Sequence, residues 1–85
     1  MKARREYKKA AAKIGAVIQG AREYLGYSRL EMGMAKEFRH LDAPEKAIYL
    51  WETGCCMPLV YNLMCIKRFF ESRGYPISFD ELLGE

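Results

Sequence analysis

Three times in 85 residues this chain carries a helix start signal, and nowhere does it carry the strict alternation of a half-buried strand. Ser28-Arg29-Leu30-Glu31 and Ser78-Phe79-Asp80-Glu81 each place a glutamate three residues after a serine. At that spacing each side chain satisfies a backbone N–H that a helix start leaves unpaired. Asp42-Ala43-Pro44-Glu45 repeats the signal with an acidic cap, a first-turn proline and a glutamate at the third position. Punctuation this frequent describes helices joined by short turns around a shared core. A chain of this length supports one such core and not two, so residues 1–85 read as a single domain.

Apolar periodicity places the helices. Ile14, Val17, Ile18, Ala21 and Leu25 recur at three- and four-residue steps, and Tyr7, Ala10 and Ala11 carry the stripe backward. Gly26 ends that first helix. Leu30, Met34, Phe38 and Leu41 predict the inward face of a second. The third is short, from about Pro44 to Trp51, and Gly54 closes it. After the connector Cys55-Cys56-Met57-Pro58, a fourth starts near Pro58 and turns Leu59, Leu63, Ile66 and Phe70 inward. Gly74 stops it, and a last short helix carries Phe79, Leu82 and Leu83. The expected architecture is all-α with five helices joined by short turns.

Hydrophobic residues at 51% and charged residues at 29% describe a globular chain. Apolar runs of a few residues are far below the roughly 20 needed to span a bilayer. No stretch reads as a signal peptide, so a cytoplasmic location is expected. Charge is unevenly placed. Lys2, Arg4, Arg5, Lys8, Lys9 and Lys13 against Glu6 alone give residues 1–13 a net charge of +5, which leaves −2 for the rest of a chain totalling +3. A basic arm, or a basic extension of the first helix, suits a polyanionic partner; a solvated solubilising tail is the plainer reading.

Catalysis finds little material. His40 is a lone histidine, better read as a surface or capping residue than as a general base, and no glycine-rich phosphate loop or His-Glu-x-x-His is present. Cys55, Cys56, Cys65 and His40 make a poor zinc set, because adjacent cysteines do not form the Cys-x-x-Cys knuckle. Three cysteines, two adjacent, are also a poor disulfide framework. No enzyme, metal or cofactor is expected. Cys65 falls off the fourth helix's predicted core face, which predicts a partly exposed thiol there.

The third helix is more informative. At about 100° per residue, Pro44, Ala47, Ile48 and Trp51 share one face, and Glu45, Lys46 and Tyr49 share the other, with Leu50 at its margin. A helix so short must dock its apolar face on a scaffold. It then presents long polar side chains outward, as a helix in a DNA major groove does. An ordinary amphipathic helix would show the same periodicity.

Four pieces in order distinguish these readings: "IGAVIQGAREYLGYS", "AIYLWETG", "MP" with "NLMCIKRFF", and "GYPISFDELLGE". Together they cover about 70 residues and resemble the phage-repressor-like (Cro/XRE) helix-turn-helix family. The family's typical end of the recognition helix is matched by Ile48, Trp51, Glu52 and Gly54, and its C-terminal Asp-Glu-Leu-Leu-Gly by residues 80–84. The resemblance implies a transcriptional regulator that reads double-stranded operator DNA as a homodimer. By position it implies that Glu45, Lys46 and Tyr49 face bases, and that Arg29 and Thr53 lie near phosphates. Lys2, Arg4, Arg5, Lys8 and Lys9 of the arm would add phosphate contacts. Trp51 is expected in the core.

Three departures stand out. Between Ser28 and Trp51 the chain has about five residues more than the family pattern. The surplus falls near 36–41 and either lengthens the second helix or makes a loop. Gly33 stands where a packing alanine is usual, and Leu50 where a polar residue is common. For the homodimer, two candidate interfaces are the last helix (Phe79, Leu82, Leu83) and Tyr61, Met64 and Cys65. A protein-interaction module on the same fold (antitoxin, antirepressor or complex subunit) is the alternative. A cationic helix over residues 2–25 on an anionic membrane is a third reading; it conflicts with the core role of Ile14–Leu25.

Overall fold

The computed structural model describes the backbone of residues 2–85 and the side chains from Arg5 onward. Five α-helices form it: α1 (Lys2–Leu25), α2 (Arg29–Gly33), α3 (Pro44–Glu52), α4 (Val60–Ser72) and α5 (Phe79–Leu82). A single 3₁₀ turn, Lys36–Phe38, lies between α2 and α3. No strand occurs among the described residues, and no described helix is long and apolar enough to cross a membrane.

α1 is the spine. Ala11, Ile14, Ile18 and Ala21 are buried along one face, as the stripe predicts, but Tyr7, read as part of it, is 52% exposed because no other described element reaches the start of the helix. The basic segment is continuous with it: Arg5–Lys9 are helical and exposed, so the arm is the first turns of α1. At its other end Gly26 takes φ 81°, which lets the Tyr27 N–H reach the Arg22 carbonyl at 3.1 Å.

α2 opens with the predicted reciprocal cap. The Glu31 N–H donates to Ser28 Oγ at 3.0 Å, and the Ser28 N–H donates to Glu31 Oε1 at 2.8 Å. The helix then ends sooner than periodicity predicts. Ala35 is extended (φ −69°, ψ 153°), so Leu30 and Met34 share no long stripe with Phe38 and both are exposed. Met32, Gly33 and Phe38 are the buried residues. The surplus residues therefore build a connector, 34–43, not a longer helix. Glu37 anchors it to the end of α4 by accepting from Arg73 at 3.1 Å.

α3 begins at Pro44 as expected, but the cap is Ala43 and no side chain satisfies the first turn. Asp42, the expected cap, lies one residue too early. The helix extends to Glu52, burying Ile48, Trp51 and Glu52. Trp51 is 5% exposed, with its ring centroid 6.2 Å from that of Phe38. The C-terminal end of α3 rests on α1 at Gly15. A Cβ there would stand 2.6 Å from the Glu52 carbonyl oxygen and closer still to that of Trp51.

α4 starts two residues after Pro58, with exposed Leu59 as its cap residue, and this rotates the inward face from the predicted one. Cys65, Ile66, Phe69 and Phe70 are buried and Leu63 is half-buried. Cys65 is thus a packing residue at 3% exposure, contrary to the partly exposed thiol expected. α5 carries its predicted capping box and buries Leu82 completely.

Candidate nucleic-acid interface

α2 and α3 meet closely because Gly33 has no side chain. A Cβ there would lie 3.0 Å from Pro44 Cβ and 3.1 Å from the Glu45 nitrogen. The approach brings the start of α2 alongside the outer face of α3. Arg22, Ser28, Arg29, Leu30, Glu45, Lys46 and Tyr49 line the open depression between them. Glu45, Lys46 and Tyr49 are all exposed, on the face of α3 opposite buried Ile48. Arg29 adjoins them, so four of the residues expected to meet DNA share one surface.

An ion cluster fixes this surface from beneath. Glu52 is buried, and both its oxygens accept from Arg22: Nε at 2.6 Å and Nη2 at 3.0 Å. The third Arg22 nitrogen, Nη1, donates to the Tyr27 carbonyl at 2.8 Å. Glu52 Oε1 also accepts from Arg29 Nε at 2.8 Å. The Glu52 hydrogen bonds raise the Arg22 guanidinium above its already high pKa, against the opposing pull of burial. A bidentate, charge-assisted pair of this kind fixes geometry as well as energy. It ties α1 to the last residue of α3 and steers Arg29 of α2 to the same point.

Arg29 is thereby oriented. Its guanidinium carbon lies 5.1 Å from the centre of the Tyr49 ring, a cation–π distance. Its two terminal nitrogens have no hydrogen-bond partner among the described residues, and its side chain is 33% exposed. An oriented, partly solvated guanidinium with free donors suits a phosphate or a base edge. Lys46 pairs with no carboxylate among the described residues. Glu45, in the first turn of α3, sits where the helix dipole favours an anion.

The other expected residues lie elsewhere. Thr53 is exposed at the end of α3, but its hydroxyl donates back to the Tyr49 carbonyl at 2.9 Å. In that arrangement it caps its own helix and has no proton to give a phosphate. Arg5, Lys8 and Lys9 are exposed on the free end of α1. The side chains of Lys2 and Arg4 lie outside the described residues. Glu52 and Arg22 were not among the expected site residues. Each extends a buried stripe by one turn, Ile48 to Glu52 and Ile18 to Arg22, and a charge in such a place demands a counter-charge.

No group of three or more His, Cys, Asp or Glu side chains among the described residues is placed to hold a metal ion. Cys55 and Cys56 are exposed free thiols. No family model matches the chain, and no curated protein or solved structure is significantly similar to it.

Proposed function

We propose that this chain is a sequence-specific DNA-binding transcriptional regulator, repressor-like, with α2 and α3 as its helix-turn-helix and α3 as its reading helix. The observation that carries the reading is the shared exposure of Glu45, Lys46 and Tyr49 beside Arg29, on a helix pair locked from below by Glu52. A docked helix with long polar side chains outward is what a major groove admits. Lys46 would donate to guanine O6 or N7, and Glu45 would accept from a cytosine amino group. Arg29 would hold a phosphate and set the register. The protein works without a cofactor, in the cytoplasm, and is not an enzyme.

A homodimer fits the reading, because two-fold proteins read half-sites about 34 Å apart. Of the candidate interface residues, Leu82 and Cys65 are core, whereas Tyr61 and Met64 are exposed beside Leu59 and Val60. Leu59, Val60 and Met64 of that patch are our candidate for the dimer contact. The patch is also the observation that favours the second reading, a module that binds another protein.

Titrating wild type, Lys46→Ala and Glu45→Gln against a duplex selected from a random pool, and against its scrambled counterpart, tests the proposal. Lys46→Ala should lose about 1–3 kcal/mol on the selected site and relax preference at one base pair. Glu45→Gln should bind the scrambled duplex more tightly and narrow the gap, since a carboxylate near phosphates penalises every sequence without a matching donor. Unmeasurable binding of all three proteins to both duplexes at low salt would overturn it in favour of a protein partner.

A further inference from the structure

The connector between α2 and α3 does more than bridge them. Phe38 enters the core, while Lys36, Arg39 and His40 stay exposed. They line a second cleft, facing Tyr61 and Arg68 from α4. The charges in it are unbalanced. From residue 14 onward the cations Arg22, Arg29, Lys67 and Arg73 each meet a carboxylate. Lys36, Arg39, Lys46 and Arg68 meet none among the described residues, and all of these except Lys46 line this one cleft.

The cleft also has a positioned aromatic wall. His40 Nε2 lies 2.7 Å from Asn62 Oδ1, and the His40 ring meets Tyr61 edge-on at 4.9 Å between centroids. Tyr61 nevertheless remains 58% exposed. Acceptors complete the lining. Glu71 is held by Lys67 at 2.6 Å. Glu37 gives one oxygen to Arg73, and its other oxygen is buried with no partner among the described residues. Carboxylates beside the cations would repel a continuous phosphate backbone. They suit a compact ligand that carries an anion at one end and hydrogen-bond donors elsewhere.

We propose that this cleft binds a nucleoside phosphate. The phosphate lies on Lys36, Arg39 and Arg68, the base packs on Tyr61, and ribose hydroxyls or base amino groups face the exposed carboxylate of Glu71. The proposal stands independently of DNA reading by α3, since it uses none of that surface.

Calorimetric titration of the full chain with each of the four nucleoside 5′-monophosphates, with inorganic phosphate and with the unphosphorylated nucleosides tests it. At least one monophosphate should bind saturably at one site, more tightly than phosphate or its own nucleoside. Arg39→Gln and Arg68→Gln should each weaken it roughly tenfold or more, as expected for losing a charged hydrogen bond. Tyr61→Ala should weaken it several-fold, and Lys46→Ala should leave it unchanged. Thermal melts of the variants should stay near wild type, because the Arg39 and Arg68 side chains are exposed and pair with no carboxylate among the described residues. No saturable monophosphate binding, binding indifferent to Arg39→Gln and Arg68→Gln, or binding equally lost in Lys46→Ala would each overturn the assignment. So would loss of scrambled-duplex affinity in the two arginine variants without nucleotide binding, which would make the cleft a DNA-backbone contact.

Discussion

Glu52 is where the core and the candidate surface meet. Its carboxylate is fully buried and answers two arginines, one buried and one at the edge of that surface. Breaking such a pair costs more than the pair contributes, because a desolvated charge is left alone. Glu52→Gln should therefore destabilise the fold by roughly 3–5 kcal/mol in a denaturant titration. Arg22→Met combined with Glu52→Met should recover much of that loss, since apolar replacement of a whole buried pair is often near neutral. If the double variant is as unstable as the sum of the singles, the pair is not the coupled unit described. Trp51→Ala should cost about 3–5 kcal/mol by thermal melting, the usual range for emptying an aromatic core site. A melting temperature within a degree or two of wild type would place Trp51 outside the core.

At the scale of elements, the two serine capping boxes were easier to read than the helix faces. The Ser28 and Ser78 capping boxes are local chemistry, complete within four residues, and both form as read. α1 declared its face because one long helix averages over many turns. α2 and α4 did not. Leu30 and Met34 look like a stripe only if the helix continues, and the break at Ala35 has no residue signature. In α4, counting from Leu59 included a cap residue that does not share the helical phase. The ion cluster spans 30 residues in sequence from Arg22 to Glu52, so only its two misplaced charges were visible beforehand. Two element-level outcomes check the packing. Gly20→Ala, on an open face of α1, should stabilise by about 0.5–1 kcal/mol through helix propensity. Gly15→Ala gains the same propensity but drives a methyl into two α3 carbonyls, so its net effect should be a loss of stability. Equal gains at both positions would show that α1 and α3 do not approach as closely as described. The α2 cap adds a pH dependence. The Ser28 backbone N–H, then its hydroxyl, lower the Glu31 pKa. A lowered carboxyl stabilises the fold above its unfolded pKa, and this is lost as pH falls through the folded one. The stability difference between wild type and Glu31→Gln should therefore shift against wild type on acidification, and a constant difference would remove Glu31 from the cap.

At the scale of the molecule, the five-helix all-α plan was legible from punctuation and apolar periodicity together, while the relation between the basic segment and the α2–α3 surface was not. The structure makes the arm a rod. Arg5 lies 17 residues before Arg22 on one continuous helix, or about 25 Å along its axis at 1.5 Å per residue. The first buried residue of α1 is Ala11, and residues 5–9 are exposed beyond it. A helix of this kind cannot curl around a duplex. On the proposed reading it would meet phosphates well away from the bases facing α3, where contacts carry no sequence information. The depression has Arg22, Arg29 and Lys46 against Glu45, with Glu52 buried beneath, a small excess of positive charge, so on the proposed reading most sequence-independent affinity would come from elsewhere. Deleting residues 1–9 removes Lys2, Arg4, Arg5, Lys8 and Lys9. The slope of log affinity against log salt should flatten by about 0.9 for each phosphate that is no longer neutralised. The ratio of selected to scrambled affinity should stay constant, and the melting temperature should barely move. An unchanged salt slope would make the rod a solubility feature. A collapsed selectivity ratio would mean that the rod, rather than α3, reads the site.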